Sequence, residues 1–453
     1  MSGVEETVQR RGPSLSLIGG YGKMGQWILK FLSKTGMLDR LDVTITGPRE
    51  LVGQRIAERF GVTYSPNNLD AARSRYIVIC TPIDVTPRII EEISPHLRED
   101  SVVMDICSVK TRVCGAARKL IDKGEYISLH PMFGPSVENL EGQVVIIVPV
   151  RGGAFLERLQ TLLHDSHART VVTSPEEHDY ALSVVQCLTH FAYLAVGTTL
   201  KDLNFDIKES RSFSSPVYEL MIDMIGRILS GDPSMYAEIQ MENPYSAKVE
   251  ELFLDNARRL KDAVDRRDAE SFKRMMLEAA RHYDDLQSAA SKSNRAVAAL
   301  YEEFLRIKGS VGKVVAIRNA TTGVVHVGRL ESADVESVTL VEGRRTVRLK
   351  TANASLLAED EARRERLKRY GSRQRDVSFI FEERARPDVI ARLIQSSVSE
   401  LVEMSVIDTY RGAGIPDGKK SVTFRMEFFG DVDPSEAEHE VRRLILSMGA
   451  LER

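Results

Sequence analysis

Gly20, Gly22 and Gly25 stand in the stretch "LIGGYGKMGQW", just after an apolar run and at the opening of a helical pattern, with Lys23 and Met24 between the last two. Glycines spaced this way where a strand meets a helix suit a dinucleotide. Gly20 is expected to allow the tight turn, Gly22 to let the backbone approach a pyrophosphate, and Gly25 to let helix and strand pack closely. The following helix would offer free N–H groups and the positive end of its dipole to the phosphates. A glycine turn without a ligand is the plain alternative, and the further βα units described below weigh against it. The second apolar run ends in "VTITGPRE", with no acid before Glu50 to bond a ribose 2′-hydroxyl. A hydroxyl at Thr46 and a nearby Arg49 suit a 2′-phosphate better, so NADP is expected ahead of NAD. Arg49 as a solvated loop charge is the competing reading.

Other reactive groups fall where further apolar runs end. Thr81 and Pro82 close "VICTP", Ser108 and Lys110 follow "MDIC", and His130 lies in "ISLHPMFGP". In an open parallel sheet, ligands bind beyond the carboxyl ends of the strands. Taken singly, Ser108 is a good N-cap, Lys110 a solvated helix charge and His130 a loop histidine. Taken together, beside a nucleotide loop, they favour a site. Two more candidates come later. His190 lies in an apolar helix with Gln186 one turn before it, and Arg227 follows Asp223 by one turn. Arg227 is either half of an i,i+4 ion pair or a guanidinium fork for a substrate carboxylate.

The elements that must position these residues follow from pattern. The runs Leu15–Ile18, Val43–Thr46, Tyr76–Cys80, Val102–Ile106, Tyr126–Leu129 and Val144–Val148 are rich in Val and Ile and nearly continuous, as strands buried on both faces are. Helical patterns between them imply βαβ units and a mostly parallel sheet. From Ser174 to about Arg306 the chain reads as helices. Ser174, Pro175 and Glu177 form a capping box with proline at the first helical position. "SPVYELMIDMIGRILSGDP" carries an apolar stripe of Val217, Leu220, Met221, Met224, Ile225, Ile228 and Leu229. After Lys308 short strand-like runs form a small β unit, "AEDEARRERLKRYGSRQR" a charged, helical linker, and the remainder a βαββα(β) pattern.

Size and charge set limits. The 453 residues allow several domains, and a net charge of −3 gives no basic excess pointing to nucleic acid or a membrane surface. The N-terminal "MSGVEETVQRRGP" has no apolar core and reads as a tail, not a secretory signal. Ala181–Leu200 is apolar but carries Gln186, His190 and several threonines, which suits a buried helix over a membrane span. Cys80, Cys107, Cys114 and Cys187 show neither a CxxC pair nor metal spacing, so no metal site is expected and reduced thiols in a cytoplasmic protein are.

At "LHPMFGP", "EEHDYALSVVQCLTHF" and "SSPVYELMIDMIGRILSGDPSMYAEI" the chain resembles the prephenate dehydrogenase family, over roughly Ser14 to Ile307. The resemblance implies an α/β Rossmann domain followed by an all-α dimerisation domain. It implies a reaction in L-tyrosine biosynthesis: oxidation of prephenate to 4-hydroxyphenylpyruvate with loss of carbon dioxide, using NAD or NADP. His130 falls on the family's catalytic histidine, Ser108 on a serine that helps hold the ring hydroxyl, and His190 on a second active-site histidine. Arg227 falls on the arginine that binds a substrate carboxylate, and Lys110 is placed with it at the substrate. Gly20, Gly22, Lys23, Met24, Gly25, Arg49, Thr81 and Pro82 are assigned to the cofactor. Two departures stand out: no chorismate mutase segment precedes the first strand, and Glu219 stands where some relatives have a second arginine.

"RDVSFIFEE", "VIDTYRGAGIPDGKKSVTFRMEFFG" and "GALER" resemble the ferredoxin-fold anticodon-binding domain of phenylalanyl-tRNA synthetase. Acids outnumber bases in residues 371–453, whereas an RNA-binding surface is usually basic. A regulatory or assembly role is therefore expected there, with nucleic acid not a partner. The expected layout is a tail over 1–13, the Rossmann domain over 14–173, the helical domain over 174–308, a small β unit over 309–356, a linker over 357–371 and an α+β ferredoxin-like domain over 372–453. The expected protein is a cytoplasmic homodimer without membrane contact, paired through its helical domain. The rival readings are an arogenate dehydrogenase, and a regulatory or RNA-binding protein on a retired dehydrogenase scaffold.

Overall fold

The continuous apolar runs of the first third become strands covered on both faces. The computed structural model describes residues 12–453, so the expected N-terminal tail lies, but for its last two residues, outside the described residues. The chain forms two compact units, one ending at Asp284 and one from Asp285 to Arg453.

In the first unit an eight-stranded sheet holds β1 (Ser14–Ile18), β2 (Asp42–Thr46), β3 (Thr63–Ser65), β4 (Tyr76–Ile79), β5 (Val102–Asp105), β6 (Glu125–Pro131), β7 (Val144–Arg151) and β8 (Arg169–Val172). The spatial order is β3-β2-β1-β4-β5-β6-β7-β8. The first six strands are parallel, β7 runs antiparallel to β6, and β8 runs parallel to β7. The strand order reverses between β1 and β4, the place where doubly wound sheets bind dinucleotides. Helices α1 (Lys23–Lys34), α2 (Glu50–Phe60), α3 (Thr86–Ile93), α4 (Thr111–Leu120) and α5 (Ala154–Asp165) cover the faces. Leu17 and Ile45 share one buried cluster with Leu29 and Leu163, while Ile18 and Ile79 share another with Ile90 and Val113. Successive strand residues thus feed opposite layers, so the strands are mostly apolar, with Ser16, Thr46, Asp105, Ser128 and His130 the buried polar exceptions among those described.

A run of helices follows: α6 (Pro175–Leu182), α7 (Thr189–Asp202), α8 (Ile207–Arg211), α9 (Pro216–Leu229), α10 (Pro233–Glu242), α11 (Ser246–Asp265) and α12 (Ala269–Ala280). The capping box forms, with Ser174 accepting from the Glu177 N–H and Glu177 reaching back to the Ser174 N–H. A π-helical turn over Ser183–Leu188 joins α6 to α7. The stretch Ala181–Leu200 is buried only at Leu182, Ser183 and Cys187, since α7 has no buried residue, and it is not the buried helix expected. On α9 the buried face is Ile222, Ile225 and Ile228, while Val217 is 73% exposed and Leu229 56%. This helix is apolar on two sides, and one of them faces out.

In the second unit α13 (Leu286–Lys308) packs with a five-stranded antiparallel sheet: Ile307 is fully buried in its core, and Glu303 accepts the Leu356 N–H at 2.6 Å. The sheet holds β9 (Val314–Asn319), β10 (Val325–Ala333), β11 (Ser337–Glu342), β12 (Arg345–Lys350) and β13 (Ala354–Leu356) in the order β12-β11-β10-β9-β13. The stretch expected to be a helical linker is a helix, α14 (Glu359–Tyr370), and it packs on the sheets before and after it in the chain. Its Arg369 pairs with Glu342 at 2.9 Å and its Tyr370 hydroxyl donates to the Val327 carbonyl at 2.8 Å. Its Arg366 pairs with Asp431 at 3.0 Å and Arg363 donates to the Leu401 carbonyl at 2.6 Å. The last sheet holds β14 (Ser372–Glu382), β15 (Leu401–Tyr410), β16 (Lys419–Phe429) and β17 (Leu451–Glu452) in the ferredoxin-like order β15-β16-β14-β17. Its core joins Phe379, Phe424 and Phe428 to Ile394 of α15 (Pro387–Ser397) and Ile445 of α16 (Pro434–Ser447).

Candidate active site

The glycine turn sits between β1 and α1 and is bonded to the next strand, the Gly19 N–H donating to the Thr46 carbonyl at 2.8 Å. Gly19, not Gly20, takes the left-handed backbone that makes the turn, with φ +75°. Gly20 and Gly25 are glycine for closeness: a Cβ on Gly25 would lie 2.4 Å from the Gly20 carbonyl oxygen. A Cβ on Gly22 would meet only the Gly19 carbonyl oxygen, at 3.1 Å. Gly22 caps α1 without a side-chain bond, so its end of the helix keeps free N–H groups beside open space. Lys23 and Met24 open that helix. This cradle fits a dinucleotide pyrophosphate. Arg49 is exposed immediately before α2. Thr46 is buried and its hydroxyl donates to Asn68 Oδ1 at 3.0 Å.

The loops after β4 and β5 are stitched side by side. Thr81 and Thr86 share a hydroxyl–hydroxyl bond of 2.8 Å, and the Cys107 thiol meets the Thr86 hydroxyl at 3.2 Å. A Cβ on Gly19 would lie 3.0 Å from the Cys80 carbonyl oxygen and 3.2 Å from the Thr81 methyl, so Cys80 and Thr81 border the glycine turn and Pro82 follows them in the chain. Ser108 is half-buried in the loop between β5 and α4.

His130 sits near the end of β6 and is almost fully buried. Its Nδ1 lies 2.9 Å from His178 Nε2, and His178 Nδ1 lies 2.8 Å from Asp179 Oδ1. Asp179 Oδ1 also accepts the Lys110 N–H at 2.8 Å, and Oδ2 accepts the Thr111 N–H at 2.7 Å and hydroxyl at 2.6 Å. Burial raises the Asp179 carboxyl, but bonds from His178, Thr111 and Lys110 outweigh it and hold it below the usual carboxylate range. An anionic Asp179 must receive a proton from His178 Nδ1. His178 Nε2 is then an acceptor, so His130 Nδ1 carries the hydrogen and His130 Nε2 presents a lone pair. Gln186, on the π-helical turn, holds its amide nitrogen 3.4 Å from that Nε2. Burial first, then the Lys110 cation and His178, keep His130 well below the usual histidine range. Burial likewise lowers His178, against the pull of Asp179.

Lys110 corrects an expectation. Its side chain is fully buried, and its Nζ bonds Asp105 at 3.2 Å and the Leu129 carbonyl at 2.7 Å, one residue from His130. Asp105 is further held by the Tyr126 hydroxyl at 2.7 Å and the Cys107 N–H at 2.9 Å. The loop after β5 folds back over its own strand end, so this ammonium faces a buried carboxylate, not open space.

His190 stands on α7 one turn beyond Gln186 and meets Tyr236 of α10 edge-on, ring centres 4.8 Å apart. Burial lowers its pKa. Its Nδ1 is buried without a hydrogen-bond partner, as are Gln186 Oε1 and Gln240 Oε1. Arg227 is exposed on α9. The Asp223–Arg227 pair does not form, because Arg211 takes both Glu219 and Asp223. Among the described residues the Arg227 guanidinium makes no hydrogen bond or ion pair, and none links it to the histidines; its carbonyl accepts the Ser230 hydroxyl at 2.8 Å. No three His, Cys, Asp or Glu side chains are grouped for a metal among the described residues.

His178 and Asp179 were missing from the sequence-derived candidates. The signal was present in "EEHD", a histidine and an acid at a helix start, where acids are also expected for the helix dipole alone.

Three family models match the chain: the prephenate dehydrogenase nucleotide-binding domain over residues 40–172, the prephenate dehydrogenase dimerisation domain over 174–278, and the ferredoxin-fold anticodon-binding domain over 369–441. A Methanocaldococcus jannaschii protein named "Probable arogenate/prephenate dehydrogenase" is 35% identical over 446 residues, covering 97% of this chain and 98% of its own. The 4-amino-4-deoxyprephenate dehydrogenase of Streptomyces pristinaespiralis is 30% identical and covers 58% of this chain and 88% of its own. The crystal structure of prephenate dehydrogenase from A. aeolicus, with hydroxyphenyl propionate and NAD+, aligns at 23% identity with a TM-score of 0.49, covering 59% of this chain and 96% of that one.

Proposed function

Because the chain belongs to the prephenate dehydrogenase family and is an NAD(P)-dependent oxidoreductase, we propose that its own substrate is prephenate, oxidised to 4-hydroxyphenylpyruvate with release of carbon dioxide in L-tyrosine biosynthesis. The observation that carries the reading is the buried Asp179–His178–His130 chain, which leaves a neutral imidazole whose Nε2 is an acceptor facing the Gln186 amide at 3.4 Å. Bound at the glycine turn by Gly20, Gly22, Lys23, Met24 and Gly25, with Thr81 and Pro82 alongside, a nicotinamide dinucleotide supplies the hydride acceptor. His130 Nε2 takes the proton of the ring hydroxyl as the hydroxyl-bearing carbon loses its hydride, and Ser108 helps hold that hydroxyl. The carbon–carboxylate bond then breaks, its electrons complete the aromatic ring, the ring oxygen takes its proton back from His130 Nε2, and carbon dioxide leaves. The protein's part is orientation and proton transfer, since aromatisation makes the last step downhill.

Arg227 anchors a substrate carboxylate and His190 lines the same pocket. Arg211 holds Asp223 and Glu219 away from Arg227, which leaves the fork available. Arg227→Leu is expected to raise the KM for prephenate about 10- to 100-fold with kcat within about threefold, as steady-state kinetics would measure. An unchanged KM would remove Arg227 from the site.

The absence of an acid before Glu50 and the exposed Arg49 support NADP ahead of NAD. A homodimer is supported by the outward apolar residues of the π-helical turn and α9, among them Val184, Val185, Val217 and Leu229, within a helical region that matches a dimerisation domain. Among the described residues Pro175–Asp202 is long and apolar enough to cross a membrane. A second copy of the chain covers it, with no membrane partner. For residues 372–453 we favour a regulatory or assembly role, because arginines such as Arg425 and Arg411 already hold Asp376 and Glu383 at 2.8 Å.

A second substrate, arogenate, is favoured by one observation. Gln186 Oε1, Gln240 Oε1 and His190 Nδ1 are buried without partners, and an ammonium would supply donors where a ketone would not. The deciding experiment compares kcat/KM for prephenate and arogenate, each with NAD and NADP. Turnover of neither substrate with either cofactor would end the proposal.

A further inference from the structure

One carboxylate ties the helical region to the loop beside the glycine turn. Glu238 lies on α10, half-buried, and its Oε2 accepts the Ile83 N–H at 2.9 Å. Ile83 follows Thr81 and Pro82. Its neighbour in the chain, Pro82, has no N–H, so this stretch has few ways of its own to fix the backbone. The Pro82 carbonyl is spent on the Val85 and Thr86 N–H groups that start α3. The same α10 anchors itself on both sides of Glu238. Ile239 is buried in one cluster with Ile83, Cys107 and Cys187, and Gln240 donates to the Cys187 carbonyl at 3.0 Å. Arg112 of α4 holds Glu242 at 2.8 Å, and Tyr236 meets His190. One short helix therefore touches the loop next to the dinucleotide cradle with one residue and the histidine of the substrate side with another.

We propose that Glu238 is a positioning residue for the cofactor: by accepting the Ile83 N–H it fixes the Thr81–Pro82–Ile83 loop against the glycine turn, so the cofactor is held by a loop that the helical region sets in place. This rests on the dinucleotide reading of the glycine turn. The residue touches neither substrate nor reacting atoms, and its effect belongs to cofactor affinity, not to the chemical step. A carboxylate at an exposed loop would serve only solubility; one that is half-buried, bonded to a backbone N–H and flanked by Asp84, Asp232 and Glu242 is held there against charge repulsion, which also raises its pKa after burial itself.

The test is the dissociation constant of NADPH and of NADH for the full chain, read from nicotinamide fluorescence without substrate. Glu238→Asp keeps the charge but shortens the arm, and Glu238→Gln removes the charge but keeps an acceptor oxygen. Glu238→Asp and Glu238→Ala are expected to weaken binding about tenfold, with Glu238→Gln within about threefold of the parent. In steady state the cofactor KM rises with them, while the prephenate KM and kcat hold within about threefold. Equal affinity in all four proteins, or Glu238→Gln as weak as Glu238→Ala, overturns the proposal while leaving the cradle intact. A parent protein that binds neither nucleotide removes the cradle and this proposal together.

Discussion

Replacing His130 by Asn is expected to lower kcat about 10²- to 10⁴-fold while the KM for prephenate changes by less than about threefold. The amide fills much of the imidazole's place and can still bond a hydroxyl, so binding survives. It cannot accept a proton at the moment the ring carbon loses its hydride. The same assignment fixes the pH dependence. His130 is held well below the usual histidine value of 6.5 by burial, then by Lys110 and His178. A base works only when unprotonated, so activity is lost as pH falls through its pKa, and the acid limb of kcat/KM is expected below pH 6.5, with no further gain on raising pH from there through neutrality. A limb well above that value, or near-normal turnover in His130→Asn, would place the base elsewhere.

Asp179→Asn is expected to cost about as much, roughly 10²- to 10⁴-fold in kcat, without touching substrate. Asp179 accepts four hydrogen bonds: from Lys110, from Thr111 twice, and from His178. An amide has only one acceptor oxygen. If that oxygen keeps the two Thr111 donors, the NH2 faces His178 Nδ1 and forces the opposite tautomer. His178 Nε2 then carries a hydrogen, His130 Nδ1 must accept it, and the proton moves to His130 Nε2, where the lone pair was required. The NH2 also meets the Lys110 N–H that Oδ1 had accepted, so about 1–3 kcal/mol of stability is lost with it, while cofactor affinity should move little compared with kcat. The nitrogen chemical shifts of the two imidazoles would report the switched tautomers directly. Unchanged tautomers with unchanged kcat would show that His130 acts without its buried chain.

Most of the architecture could be read from pattern because burial on two faces forces it. Leu17, Ile45 and Ile147 sit in strands covered on both faces and so rich in apolar residues, and the capping box at Ser174 fixes where the helices begin. The strands that went unread are β3, β8, β11 and β13. Three of them, β3, β8 and β13, lie at sheet edges, and β8 is exposed at every residue, so no apolar run announces them. In the site, His130 stood out because it ends a strand. Its partner His178 is 48 residues away, and only the tertiary fold brings them together. Lys110 failed for the opposite reason: its spacing after Ser108 suggests an outward helix charge, and only the fold reveals the buried Asp105 that claims it.

Helix α14 carries a mechanical consequence. Because Arg369 and Tyr370 grip the five-stranded sheet while Arg363 and Arg366 grip the four-stranded one, residues 359–370 act as a stiff lever instead of slack tether. A ligand that tilts the ferredoxin-like sheet cannot have its motion absorbed along this span; it must swing the neighbouring sheet, and with it α13, as a single block.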